Sequence, residues 1–189
     1  MRDLPPGRVR ILTVCSGNIC RSPAAALLLA DAFGEAVDVA SAGTIARPGL
    51  PVSPEMAQLL ADDLVPSHAF RSRRLGERAI EDADLVLALT REHRSRVVAL
   101  VPTALRRAYT LKEFARLAES VPADAFADTP RTVAERLRTL TAVAGRHRRP
   151  VPPQEDDIAD PYGLGPAAYQ AAYDEIRDAV RRLAAILTP

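Results

Sequence analysis

Cys15-Ser-Gly-Asn-Ile-Cys-Arg21-Ser22 combines groups that can do chemistry together. A cysteine acts as a nucleophile when it is ionised, and nearby positive charge stabilises the thiolate. Arg21 can hold two oxyanion oxygens at once through its planar fork. Gly17 and Asn18 tolerate the backbone angles that aim successive N–H groups of Ser16, Gly17, Asn18, Ile19 and Cys20 inward. Ser22 can donate a hydrogen bond to the sulfur of Cys15. A thiolate, an anion cradle and a fixed guanidinium together make a phosphate-transfer site. The alternative is a generic strand-to-helix turn with a buried thiol, and the full string in its strand–loop–helix setting favours the functional reading. A nucleotide-binding P-loop is a poor rival, because Gly-Lys-Ser/Thr is missing.

The elements around the string must place it. Arg8 to Val14 alternates and then turns apolar, as a buried strand does. Ser22-Pro23 suits a helix start, with Ser at the N-cap, and Leu28, Leu29, Ala32 and Phe33 give that helix an apolar face. A second strand over 36–42 ends at Gly43. Ser53-Pro54 opens a helix to about Asp62. A third strand runs over 84–89, a helix over 91–100, and a short fourth strand over 106–109. The last helix starts at Pro166 and carries Tyr169, Tyr173, Ile176, Val180, Leu183 and Leu187 as one core-facing stripe. Strands alternating with helices predict an α/β fold with a parallel, doubly wound sheet and helices on both faces. The reactive string then lies at the carboxyl end of a strand and at a helix N-terminus, both favourable to an anion.

Residues 120–157 differ. They are rich in Pro and charge, and they read as an insertion in one 1–189 domain. An inserted helix near residues 129–145 opens at Thr129-Pro130, carries Val133, Leu137, Leu140 and Ala144, and closes at Gly145. A flexible return follows, with Arg146-His-Arg-Arg149 and the acidic Glu155-Asp-Asp157. A surface decoration is the expected role, with a basic docking arm through Arg146, Arg148 and Arg149 as the alternative.

Composition excludes several classes. The net charge is +1, with 48% hydrophobic and 26% charged residues, so nothing draws the whole chain to nucleic acid or membrane. No apolar run is long enough to span a bilayer. Met1 to Gly7 lacks the apolar core of a signal peptide, so a cytoplasmic protein with a frayed start is expected. Lys112 is the sole lysine among 25 basic residues, a bias that points to a GC-rich bacterial genome. Two cysteines are too few for a disulfide scaffold, and no histidine near them completes a zinc site. A monomer or weak dimer is expected. His93 and His147 read as solvated surface residues.

Val14-Cys-Ser-Gly-Asn-Ile-Cys-Arg-Ser-Pro23 resembles the signature of the low-molecular-weight protein tyrosine phosphatases. The likeness continues at Ser41-Ala-Gly-Thr44, at Ser67-His68 with Arg71, at Ala83-Asp-Leu-Val-Leu-Ala88 and at Asp160-Pro161-Tyr162. It covers most of the chain outside 120–157. The resemblance implies a four-stranded parallel sheet, no metal or cofactor, and a phosphotyrosine protein as substrate. It also implies roles. Cys15 attacks phosphorus, Arg21 and the loop amides hold the oxygens, and Asp160 protonates the leaving phenol and then activates water. Ser22, Asn18, Ser41 and His68 form the network that shapes the loop. Pro161 agrees with this role for Asp160, since it restricts the preceding residue to extended angles.

The chain departs from the family pattern in three ways. Ile45-Ala46-Arg47 stands where a stacking aromatic is common, leaving Tyr162 as one aromatic wall and Arg47 as a second wall that is not aromatic. Leu89-Thr90 replaces a common Met-Asp, and the 120–157 region is long. Arsenate reductases share the fold but need a distant shuttle cysteine that is missing here. Protein-arginine phosphatases also share it, with Thr where Ile19 stands. A catalytically silent phosphoprotein-binding module is the rival from another class. Cys20 is close enough in the loop to resolve an oxidised Cys15, so redox sensitivity is expected.

Overall fold

Four short strands form one parallel sheet in the order β2-β1-β3-β4. The computed structural model describes residues 7–126 and 132–188. β1 is Val9–Cys15, β2 Val37–Gly43, β3 Leu85–Ala88 and β4 Ala108–Thr110. The helices are α1 Arg21–Phe33, α2 Pro54–Asp62, α3 Glu77–Glu81, α4 Arg91–Leu100, α5 Leu111–Ser120, α6 Val133–Val143 and α7 Pro166–Leu187. The expected doubly wound α/β architecture with four parallel strands is therefore present.

The central strand positions the site. β1 is paired on both edges, with Cys15 opposite Gly43 of β2 and Val14 opposite Ala88 of β3. Cys15 is thus the last rung of the central strand. From β1 the chain leaves to β2 on one side and returns to β3 on the other, which opens a crevice beyond the carboxyl ends.

Side-chain alternation along the strands feeds two cores. Ile11, Leu85 and Leu87 pack in one cluster with residues of α1, α2, α5, α6 and α7. Leu12, Val14 and Val86 pack in the other with Ile80 of α3 and Val97 of α4. No described helix is long and apolar enough to cross a membrane.

Sequence reasoning passed over α5. Its start carries a complete capping box between Thr110 and Glu113, and it buries Leu111, Phe114, Ala115, Leu117 and Ala118. Ser22 is also not the cap of α1. That helix begins at Arg21, so Ser22 lies inside the first turn and its hydroxyl turns toward Cys15.

The 120–157 region corrects two expectations. Thr129-Pro130, the expected helix opening, lies outside the described residues, and α6 is capped by Thr132, whose hydroxyl accepts from the Glu135 N–H. α6 is no surface decoration: Ala134, Leu137 and Leu140 are buried in the main cluster. Its return is tied to the body of the domain. Arg91 and Arg116 both pair with the buried Asp156, at 2.6 and 2.9 Å. Lys112 donates to the carbonyls of Gln154 and Asp157 while also pairing with Glu175. The basic run splits likewise, since Arg148 turns inward to Glu113 at 2.8 Å and lies over the Tyr109 ring.

Candidate active site

The loop between β1 and α1 has its carbonyls tied away from its centre. Thr44 N–H donates to Cys15 O (2.9 Å), Ile45 N–H to Ser16 O (3.1 Å) and Ser53 N–H to Ile19 O (2.8 Å). No described peptide is cis. In a trans peptide the N–H opposes the carbonyl, so the amides of Ser16, Gly17 and Cys20 face the other way, into the loop. Asn18 makes the bend at φ +53°, a left-handed angle that Asn tolerates better than most residues. Gly43 allows the loop to rest on the end of β2: a Cβ there would lie 2.4 Å from the Ser16 carbonyl oxygen.

Side chains then fix the sulfur. Ser22 Oγ lies 2.9 Å from Cys15 Sγ, and the Asn18 N–H donates to the same sulfur at 3.3 Å. Asn18 Nδ2 donates to both Ser22 Oγ (2.9 Å) and Ser41 Oγ (2.8 Å). Because Ser22 already accepts from Asn18, its single proton is available to the sulfur. Asn18 Oδ1 accepts from the Arg73 N–H at 2.7 Å. Asn18, Ser22 and Ser41 therefore converge as expected.

His68 does not join them. It is exposed, and among the described residues only its carbonyl is engaged, by the guanidinium of nearby Arg71. Among the described residues the Asn18 network takes in the Arg73 backbone amide and not that imidazole.

Arg21 is nearly sealed, with its side chain 4% exposed. Nη1 donates to the Ile158 carbonyl at 3.0 Å, and Nη2 pairs with Asp160 at 2.5 Å. Its Nε is buried without a partner among the described residues, a donor left for an oxyanion. Asp160 lies far along the chain and reaches Arg21 because its segment is anchored. Ile158 N–H donates to Leu89 O at the end of β3, and Asp157 Oδ1 accepts from Arg91 N–H. The Asp156 ion pairs hold the same stretch. The Asp160 carboxyl is half exposed and also accepts from the Tyr162 N–H at 3.3 Å.

His93 is the residue sequence reasoning misplaced. It is buried, 6% exposed, rather than solvated. Nε2 lies 2.8 Å from Ser16 Oγ, and Nδ1 lies 2.8 Å from the hydroxyl of Thr90, the cap of α4. Burial foremost, and then the Arg21 guanidinium, lower its pKa from 6.5 to about 4. Folded His93 therefore stays neutral where an unfolded one gains a proton. Stability linked to it is fully present above about pH 6.5 and falls as pH drops toward 4, by at most about 3 kcal/mol. His93→Asn should lose less stability than wild type between pH 7 and 4.5, measured by denaturant midpoints at each pH. Parallel losses in the two proteins would contradict this.

Cys20 turns away from the cradle. Its thiol donates to Ser53 Oγ at 3.3 Å and lies 3.7 Å from Tyr169 Oη. Burial pushes its pKa up.

Around the loop lies a cleft of about 320 Å³. Cys15, Ser16, Gly17, Cys20 and Arg21 line it together with Asp160, and Ile19, Ile45, Leu50, Arg47 and Tyr162 complete its walls. Arg47 and Tyr162 are thus both brought to the site.

An anion cradle with a buried cysteine and arginine, at the switch point of a four-stranded parallel sheet, defines a narrow class of α/β proteins. The family model for "Low molecular weight phosphotyrosine protein phosphatase" matches residues 10–125. The chain belongs to this family of hydrolases. It is 33% identical over 175 residues to a protein-arginine-phosphatase of Geobacillus stearothermophilus, covering 93% of both chains. It is 34% identical over 103 residues to the probable low molecular weight protein-tyrosine-phosphatase EpsP of Ralstonia solanacearum, covering 54% of this chain and 70% of that one. Among solved structures, the YwlE arginine phosphatase from Geobacillus stearothermophilus superposes with a TM-score of 0.69 at 32% identity. That match covers 94% of this chain and 91% of that one.

Proposed function

We propose that the protein hydrolyses phosphotyrosine in protein substrates through a cysteinyl-phosphate, with Cys15, Arg21 and Asp160 as its catalytic residues. The observation that carries this reading is the convergence on one cleft of a hydrogen-bonded Cys15 sulfur, a buried Arg21 with an unpartnered Nε, and the Asp160 carboxyl.

The phosphate oxygens lie in the loop amides and on Arg21. An arriving dianion competes with Asp160 for Nη2, and the carboxyl, released from the guanidinium, takes up from solvent the proton that it gives to the leaving oxygen. The Cys15 thiolate forms an S–P bond as the P–O bond to tyrosine breaks, and Asp160 gives its proton to the departing phenolate oxygen. Asp160, now a carboxylate, takes a proton from water as that water attacks phosphorus. The S–P bond breaks, the thiolate returns, and inorganic phosphate leaves with the water oxygen. Ser22 and the Asn18 N–H stabilise the sulfur charge at both ends of the cycle.

The walls favour an aryl group. Ile19, Ile45, Leu50 and Tyr162 offer carbon to a ring. A guanidinium has N–H donors that need acceptors, and burying a donor unpaired costs about 1–3 kcal/mol. That amounts to about a ten- to hundredfold preference for phosphotyrosine. Phosphoarginine is the second reading, supported by the names of relatives that match over 93% and 92% of the chain. Parallel kcat/KM measurements on matched phosphotyrosine and phosphoarginine peptides decide between them. Wild type should favour phosphotyrosine, and Ile19→Thr should narrow the gap by adding a hydroxyl to the wall. Higher efficiency on phosphoarginine would refute the phosphotyrosine reading.

A further inference from the structure

A second concavity of about 480 Å³ adjoins the phosphate cleft. The two share Ile19, Leu50 and Tyr162 as a common saddle, and the second continues past Pro51 and Pro54 to Glu55. The shared saddle is apolar and open to solvent: Tyr162 is 67% exposed and Leu50 41%, and Ile45, on the wall of the first cleft, is 71% exposed. Exposed apolar groups beside a binding cleft mark a surface that meets a partner.

The saddle is also built rather than loose. Buried Ser72 accepts from the Leu50 N–H at 2.9 Å and donates to the Arg47 carbonyl at 2.6 Å. Ser72 N–H donates to Leu50 O, and Gly49 N–H to Ser72 O. Ser53 N–H pins the end of the segment to the loop carbonyl of Ile19. A wall fixed in this way loses little entropy when something lies on it.

We infer that this concavity is a substrate subsite for a medium-sized apolar side chain two residues from the phosphorylated one, with Glu55 at its far end rejecting acidic residues. The inference rests on the reading of the first cleft as the site of phosphoprotein hydrolysis. Residues two apart in an extended segment share a face, so one side chain enters the phosphate cleft and the other lies over the saddle. The occupant is therefore a segment of the substrate protein, continuous with the group bound by Arg21. Charge adds direction. Arg47 lies on the phosphate side and Glu55 on the far side, so an acidic residue is tolerated near the first and penalised near the second.

The test uses peptides carrying Leu, Asp or Lys two positions before or after the phosphoresidue. Each is made on a phosphotyrosine and on a phosphoarginine scaffold, with p-nitrophenyl phosphate as a substrate too small to reach the saddle. On the scaffold hydrolysed faster, Leu at one of these positions should exceed Asp by about tenfold in kcat/KM, chiefly through KM. Glu55→Lys should shrink that gap at least threefold and leave p-nitrophenyl phosphate turnover unchanged. If phosphoarginine is the faster scaffold, the phosphotyrosine reading falls and the subsite is judged on the phosphoarginine series. Rates independent of the residue at both positions overturn the subsite. So does hydrolysis of p-nitrophenyl phosphate with neither peptide series turned over.

Discussion

Cys15→Ser should reduce turnover of phosphate monoesters by roughly a thousandfold or more, because removing a nucleophile usually costs several orders of magnitude. A serine hydroxyl is not ionised at neutral pH, and the side chain beside it, Ser22, is a hydroxyl and no base. The proposed oxyanion cradle consists of backbone N–H groups and Arg21, none of which the substitution touches. Phosphate or vanadate should therefore still bind, as measured by calorimetry, while p-nitrophenyl phosphate hydrolysis falls below about 1% of wild type. Residual activity above that level in a folded variant would remove Cys15 from the role of nucleophile.

Asp160→Asn should slow hydrolysis of phenyl phosphate by about a hundredfold or more, the usual scale of general acid catalysis. The loss should shrink for p-nitrophenyl phosphate, whose leaving group is acidic enough to depart with little protonation. Inorganic phosphate should meanwhile bind more tightly, because the Asp160 carboxylate no longer competes for Arg21 Nη2, which it holds at 2.5 Å. A loss uniform across leaving groups, with unchanged phosphate affinity, would assign Asp160 a structural role.

Where chemistry is local in the chain, residue types alone make it legible. Cys15 to Ser22 run without a break from the end of β1 through one loop into the first turn of α1, and their identities specify a sulfur, a left-handed bend at Asn18 and a guanidinium. The strand–helix alternation predicts the sheet because each buried strand is short, apolar and followed by a helix start. Asp160 is reached through resemblance, since nothing local says that its segment is held by Arg91 and Arg116 through Asp156. Those partners sit in other elements, and an acidic run read alone resembles a solvated one. His68 misleads for a related reason. The amide that completes the Asn18 network belongs to Arg73, and a backbone donor leaves no trace in residue type. His93 carries a faint signal, three residues after Thr90 at a helix start, but its contact with Ser16 spans two strands. The helix over Leu111–Ser120 is signalled by Thr110-x-x-Glu113 before an apolar face, a pattern easily lost beside a Pro-rich stretch.

The most direct test of the account is to trap the phosphoenzyme. Asp160→Asn mixed with p-nitrophenyl phosphate and acid-quenched within one turnover should carry one phosphoryl group, located by mass spectrometry on Cys15, because the water-activating carboxylate is gone. A phosphoryl group on another residue, or nitrophenol released in a burst from an enzyme that carries none, would contradict a mechanism through Cys15.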